Sequence, residues 1–298
     1  MRTTLRNQTP GAALVVQVPH PDSAETLYRG ETFSLSGQTV RYRPLSVWVE
    51  LADILDCRLQ CPKVLDSQWI ELTMTPIDTQ SCWHTDGRPS GHPEKYGIDT
   101  EYGRIDKFER PHDLAAFQDA LEWIRLPDDA QVVSLGVNRG DELHLLWETL
   151  QTTCPPARLL GIDHSASAIE YARNRMPSAP FEFRRADLNE DNVLRGERFD
   201  AVLALNTLHS PKLDGRALLR RIVKDHLNPT GAIILGFPNC RYIGQTLKFG
   251  AQTKNYSSPE YSVLLKEISA YRRYLHQQKF TVNITGRHTL FVNAKRRP

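Results

Sequence analysis

Two hydrophobic rhythms run through the carboxyl-terminal two thirds of the chain. QVVSLG is a short apolar run, and DELHLLWETLQ after it places apolar residues at helical spacing. The pair repeats: RLLGID then SASAIEYARNRM, and FEFRRAD as a third strand. FDAVLALN, nearly all apolar, predicts a fourth strand buried on both faces. GRALLRRIVKDHL predicts a helix, NPTG a turn and AIILGF a fifth strand. Strands alternating with helices imply parallel crossovers and a doubly wound sheet. The rhythm then breaks into a long polar stretch, PNCRYIGQTLKFGAQTKNYSSPE, expected as a loop. A helix follows over YSVLLKEISAYRRYLHQQ, and FTVNI and TLFVNA predict a closing antiparallel hairpin.

The beginning of the chain is less regular. GETFSLSGQTVRYRPL predicts a small hairpin, SVWVELADILDC a short helix and PHDLAAFQDALEWI a longer one. Between them lies a stretch rich in Trp, His, Tyr and Pro. The fold class expected is therefore α/β: a mostly parallel seven-stranded sheet with a carboxyl-terminal antiparallel hairpin, plus an amino-terminal α+β extension. Residues 1–110 are expected as the extension, a lid and substrate platform, and residues 111–298 as the main domain. The apolar patch Ala12–Val18 is short and has no cleavage site, so it reads as a lead or an edge strand.

Composition narrows the class. With 298 residues, 40% hydrophobic and 24% charged, the chain reads as a soluble globular protein. A net charge of +2 gives no strong field for nucleic acid. No apolar run is long enough for a bilayer. Five scattered cysteines are no disulfide framework, which points to the reducing cytoplasm.

The first strand-turn-helix, VVSLGVNRGDEL, is the cofactor corner of such a sheet. Gly136 and Gly140 suit a close backbone approach or a positive φ. A dinucleotide site would read G-x-G-x-x-G, whereas this chain has G-x-x-x-G followed by Asp141 and Glu142. Two carboxylates in the first helical turn would repel a pyrophosphate. They suit a ligand with positive charge and no phosphate, such as S-adenosylmethionine, with its ammonium and sulfonium.

On these residues the region from about 128 to the end resembles the class I S-adenosylmethionine-dependent methyltransferases. The family's glycine loop usually reads acid-x-Gly-x-Gly-x-Gly; here Ser134 stands for the leading acid and Asn138 for the middle glycine. The resemblance implies that Ser134, Gly136, Asn138 and Gly140 line the cofactor. It implies that Asp163, with His164 beside it, holds the ribose hydroxyls, and that Asp187 and Leu188 meet adenine. Asn206 follows strand four, in Asn206-Thr207-Leu208-His209, similar to the Leu-His ending of many members. Asp163 has a plainer alternative as the helix cap, a role Ser165 fills equally well.

The chemistry left to assign is the transfer itself. Alignment of a nucleophile with the methyl is the main requirement, and His209 is either a general base or a packed histidine. Substrate contacts are expected from Arg104 and Lys107 in the stretch 94–111, which also carries Tyr96 and Tyr102. Others are expected from Asn239, Arg241, Tyr242 and Tyr256 after strand five. Small-molecule or protein substrates accepting at N or O are expected. RNA is the alternative, favoured by basic and aromatic residues interleaved in both loops. A non-catalytic S-adenosylmethionine-binding regulator is the second alternative, favoured by the altered glycine loop. Cys57, Cys61, Cys82, His84 and His92 lack the two-knuckle spacing of structural zinc, so no metal is expected. Cys240 is not set in the Pro-Cys context of pyrimidine C5 methylation, and no Asp/Asn-Pro-Pro-Tyr/Phe signature follows strand four.

Overall fold

The structure is a computed structural model that describes residues 12–24, 26–78, 92–251 and 262–296. The chain divides into two units, residues 1–84 with 242–248, and residues 85–241 with 249–298.

In the first unit, β1 (Leu14–Pro19) is followed by a hairpin of β2 (Thr32–Leu35) and β3 (Gln38–Arg41). Then come helix α1 (Leu45–Ile54), β4 (Cys57–Leu59), β5 (Lys63–Val64) and β6 (Trp69–Pro76). β6 is the centre of an antiparallel sheet, paired with β1, β4 and β5. Its alternate residues Ile70, Leu72 and Met74 are buried against Val18, Trp48 and Ala52. The apolar patch at the start is thus an edge strand, held by β6.

In the second unit, α2 (Pro111–Ile124) carries Pro111 in its first turn and ends at Arg125 in the left-handed region, φ 56°. Its buried face is Ala116, Phe117, Ala120, Leu121 and Ile124. The crossovers follow: β7 (Gln131–Leu135), α3 (Asp141–Leu150), β8 (Arg158–Asp163), α4 (Ala166–Arg175), β9 (Phe181–Arg185), β10 (Phe199–Leu205), α5 (Gly215–Arg221) and β11 (Leu227–Pro238). Next come a hairpin of β12 (Cys240–Ile243) and β13 (Thr246–Phe249), of which residues 242–248 group with the first unit, then helix α6 (Ser269–Gln277), β14 (Phe280–Gly286) and β15 (Thr289–Arg296).

The seven-stranded sheet runs β14-β15-β11-β10-β7-β8-β9. β7 to β11 are mutually parallel, and β15 is antiparallel to both β11 and β14. Successive residues of β10 serve opposite faces: Val202 and Ala204 join one apolar cluster, Ala201, Leu203 and Leu205 the other. That double burial explains why the strand reads as an unbroken apolar run. The order reverses between β7 and β10, which puts a crevice at the carboxyl ends of those strands.

Three local expectations are corrected. NPTG is not a turn before the strand but a bulge within β11: Phe199 pairs with Leu227, and Ala201 with Ala232. The polar stretch after β11 is not a plain loop, because β12 and β13 pair there around Gly244, φ 53°. The division between units falls at residue 84 rather than 110, because residues 92–110 make their hydrogen bonds to loops of the second unit.

Candidate functional site

The turn after β7 is built by backbone geometry. Gly136 (φ 70°), Asn138 (φ 47°) and Gly140 (φ 82°) all take positive φ. The amides of Gly136 and Val137 donate to Ile162 O at 2.8 and 3.0 Å, which draws the turn against the end of β8. A Cβ on Gly136 would lie 2.4 Å from Thr207 Oγ1, so this position needs glycine. Asn tolerates the left-handed region better than most residues, which accounts for Asn138 in place of a glycine.

At the end of β8, Asp163 is 8% exposed. Its Oδ2 accepts from the amide of Asn138 at 2.9 Å and its Oδ1 from the amide of Ser165 at 2.8 Å. The cap of α4 is Ser165, whose Oγ accepts from Ala168 N at 3.2 Å. Asp163 is therefore not spent on capping, and each of its oxygens retains a lone pair for a further donor. His164 is exposed, and its carbonyl accepts from Arg185 Nε at 3.3 Å. Asp187 is also exposed; its Oδ1 accepts from the amide and the Nδ2 of Asn189, at 2.9 and 2.8 Å. Leu188 is half-buried and packs beside the core, its carbonyl taking Arg221 at 3.1 Å. Asn206, after β10, sits at φ 58°, and its buried Oδ1 has no hydrogen-bond partner among the described residues. His209 is exposed just beyond it.

Residues 92–108 form a strap stitched to the loops after β7 and β8. Glu94 is the anchor: its carboxylate accepts from Ser165 Oγ (2.8 Å), Ser167 Oγ (2.5 Å) and the amide of Ala166 (2.7 Å). Burial works to raise the Glu94 pKa, but the hydroxyls of Ser167 and Ser165 and the amides of Ala166 and Ser167 outweigh it and hold it below the ordinary range. Asn138 Nδ2 donates to Tyr96 O at 2.7 Å, and Arg139 donates to Gly103 O at 3.1 Å. Lys107 Nζ reaches Glu142 Oε2 at 2.6 Å, and Ser134 Oγ donates to Glu142 Oε1 at 2.8 Å. Glu142 is completely buried. Tyr102 packs edge-on against Tyr96, ring centroids 5.1 Å apart. Burial raises the pKa of the Tyr102 phenol, and the nearby Glu142 and Asp163 carboxylates add to this against Lys107.

This arrangement corrects part of the electrostatic expectation. Asp141 and Glu142 are not bare charges at a helix start. Asp141 is paired with Arg175 and lies 3.8 Å from Arg139 Nε, and Glu142 is paired with Lys107. Arg104 and Lys107, expected together, are separated: Arg104 is exposed while Lys107 is turned inward. Sequence reasoning passed over Glu94, which no short-range motif marks, and gave Glu142 no partner, because Lys107 lies 35 positions away.

The segment after β11 is also more structural than expected. Asn239 is 2% exposed, and its Nδ2 donates to Arg287 O at 3.2 Å. Arg241 is occupied by the carbonyls of Phe249 (3.1 Å) and Gly250 (2.8 Å). Tyr242 is half-buried in the part of the hairpin grouped with the first unit. Tyr256 lies outside the described residues, as do Cys82 and His84. Cys240 accepts from Arg110 at 3.2 Å; burial pushes its thiol pKa up, more than Arg110 lowers it.

The donor set fits S-adenosylmethionine. Asp163 has acceptor capacity for vicinal hydroxyls, Asn206 Oδ1 is a buried acceptor without a donor, and an acid–base pair stands beside the glycine turn. Among the described residues no group of three or more His, Cys, Asp or Glu side chains could hold a metal ion, and no helix is long and apolar enough to cross a membrane.

Residues 133–233 match the family described as "Methyltransferase domain". Protein-lysine N-methyltransferase efm4 of Schizosaccharomyces pombe is 28% identical over 131 residues, 40% of this chain and 54% of that protein. Trans-aconitate 2-methyltransferase of Azoarcus sp. is 32% identical over 123 residues, 41% of this chain and 45% of that protein. The chain thus spans about half the length of the curated relatives it matches. A SAM-dependent methyltransferase structure from Aquifex aeolicus superposes with a TM-score of 0.45 at 16% identity, covering 65% of this chain and 97% of that one.

Proposed function

We propose that the chain, whose residues 133–233 match the family described as "Methyltransferase domain", is a class I S-adenosylmethionine-dependent methyltransferase that methylates a nitrogen or oxygen of a small-molecule or protein substrate. The observation that carries the reading is Asp163: a buried carboxylate at the switch point, braced by two backbone amides and spared the capping role. Asp163 holds the ribose hydroxyls, Asn206 Oδ1 takes a donor from the cofactor, and Gly136 and Gly140 keep the wall of the corner low. When bound, the cofactor supplies an electrophilic methyl on a sulfonium.

The chain's own residues then have two tasks, holding the acceptor in line and excluding water. The strap of residues 92–108, anchored through Glu94, is suited to the second. His209, exposed beyond β10, is our candidate for accepting the acceptor's proton, and exposed Arg104 for contacting substrate. Because Asn239 and Arg241 are engaged with backbone carbonyls, we give them the task of shaping the substrate side rather than touching the substrate. Support for the substrate class comes from the two relatives, one named for protein lysine and the other for trans-aconitate.

The experiment is methyl transfer from labelled S-adenosylmethionine to fractionated cell extract, with S-adenosylhomocysteine binding measured in parallel. Label in the protein or small-molecule fraction supports the proposal. Label confined to RNA replaces it with the RNA alternative. Cofactor binding without transfer to any fraction replaces it with a regulatory role.

A further inference from the structure

We propose that the groove between α5 and α6 docks an acidic segment of a protein partner, its carboxylates taken by Arg216, Arg220 and Arg273. The groove shares no residue with the cofactor corner, so the inference stands apart from the reading of that corner.

Both walls belong to the second unit. The groove encloses about 250 Å3 and is lined by one stripe of each helix. Arg216 and Arg220 are one turn apart on α5, and Arg273 stands on α6. All three are exposed. Beneath them lie Leu219 and Tyr271, 1% and 3% exposed. Arg216 is close enough to act on the Tyr271 phenol and Arg220 on that of Tyr274, so the charges of one wall face the rings of the other.

What the groove lacks is acid. Among the described residues, none of the three arginines is in a hydrogen bond or an ion pair. Arg158, Arg175, Arg184 and Arg221 of the same unit each have a carboxylate partner. The two acids that Tyr271 feels are committed elsewhere: Asp214 caps α5 through the amide of Ala217 at 2.9 Å, and Glu267 lies 3.9 Å from Lys266. Three guanidiniums around one groove repel one another, and each keeps its fork of donors. A run of carboxylates removes the repulsion and fills the forks in pairs. Arginine and tyrosine together are also what the centres of protein interfaces are rich in.

Other anions fit less well. A nucleic-acid strand needs aromatic faces on which its bases stack. Tyr271 offers none: it is buried, its ring is 4.9 Å from that of Phe237, and its hydroxyl is 3.4 Å from Leu208 O. A small anion leaves half-buried Ala270 and Tyr274 uncovered, whereas a peptide brings apolar side chains to them.

The test is fluorescence anisotropy with a labelled, capped peptide of repeated Glu-Glu-Leu, and with its Gln-Gln-Leu counterpart. The wild-type chain should bind the first and not the second. Arg220→Gln and Arg273→Gln should each weaken binding about threefold or more, and the triple variant with Arg216→Gln at least tenfold. Arg272→Gln is the control, because it removes the same charge from an exposed residue of α6 that does not line the groove. It should stay within about twofold of wild type. Melting curves check that the variants fold, and S-adenosylhomocysteine binding should be unchanged in all of them. Equal weakening by Arg272→Gln would reduce the groove to diffuse charge and overturn the proposal. Tighter binding of an oligouridylate of equal length overturns it in favour of RNA, and displacement of the peptide by an equal concentration of citrate or inorganic phosphate in favour of a small anion. Absence of peptide binding overturns it outright.

Discussion

The backbone amide of Asn138 donates to Asp163 Oδ2 at 2.9 Å, tying the turn after β7 to the acid that ends β8. Two strands of the parallel sheet thus hold one carboxylate between them, with the amide of Ser165 on its other oxygen. An acid already ordered in this way binds hydroxyls without first losing rotamer freedom.

Asp163→Ala is therefore expected to weaken S-adenosylhomocysteine binding at least tenfold, since a hydrogen bond to a charged group contributes about 1.5–3 kcal/mol. The same variant should weaken 5′-methylthioadenosine equally, because both ligands share the ribose. Calorimetry checks this, with far-ultraviolet circular dichroism as the control for folding. Wild-type affinity in the variant would place the ribose elsewhere.

Glu94 gives the molecule an acid-sensitive strap. Its folded pKa is depressed by the serine hydroxyls and amides around it, against the effect of burial. Glu197 is depressed in the same sense, with Arg158 and Arg184 overcoming burial. A depressed carboxylate contributes stability that is complete above its unfolded pKa, about 4.3, and lost as pH falls through the folded value. Glu94→Gln should thus melt below wild type at pH 7, and the gap should narrow as pH drops from 5 towards 3. A gap that stays constant across that range would mean that the charge of Glu94 does not hold the strap.

How much of this was legible depends on the distance over which each signal acts. The crossovers from β7 to β11 were plain, because a strand buried on both faces is apolar throughout, as Ala201–Leu205 are. The positive φ of Gly136 and the place of Asp163 at the end of β8 were legible too, since both follow from position at a strand end. β6 was missed although Ile70, Leu72 and Met74 alternate, because the intervening Glu71 and Thr73 dilute a short run. Gly244 marked the β12–β13 turn, but the polar residues around it hid the pairing. The strap contacts had no local signal. Lys107 and Glu142 are 35 positions apart and Glu94 and Ser167 are 73, and only the folded chain brings them together.

Cys240 should behave as a buried thiol. Burial raises its pKa and Arg110 offsets this only in part, so little thiolate is present at pH 7. Iodoacetamide should modify exposed Cys61 well before Cys240, followed by peptide mass mapping. Cys240→Ala should retain methyl transfer to whichever fraction accepts label. Rapid modification of Cys240 together with loss of transfer in Cys240→Ala would reinstate a nucleophilic cysteine.

The two glycines of the β7 turn should differ in their cost of substitution. Both have positive φ, so an alanine at either position pays about 1–2 kcal/mol of backbone strain. At Gly140 the added Cβ meets Met176 Cε at 2.5 Å, the far end of a flexible side chain that can turn aside. At Gly136 the Cβ meets Thr207 Oγ1 at 2.4 Å and Cγ2 at 2.8 Å. Thr207 is β-branched and buried, and its Oγ1 donates to Leu135 O at 2.7 Å, so it has nowhere to turn. Overpacking there adds about 1–3 kcal/mol to the strain. Gly140→Ala is expected to lower Tm by the strain alone, and Gly136→Ala by roughly twice as much, at about 2–4 °C per kcal/mol for a domain of this size. Thermal melts of the two variants decide it: equal losses would mean that Thr207 yields and that the turn is held by φ rather than by packing against the strand-four end.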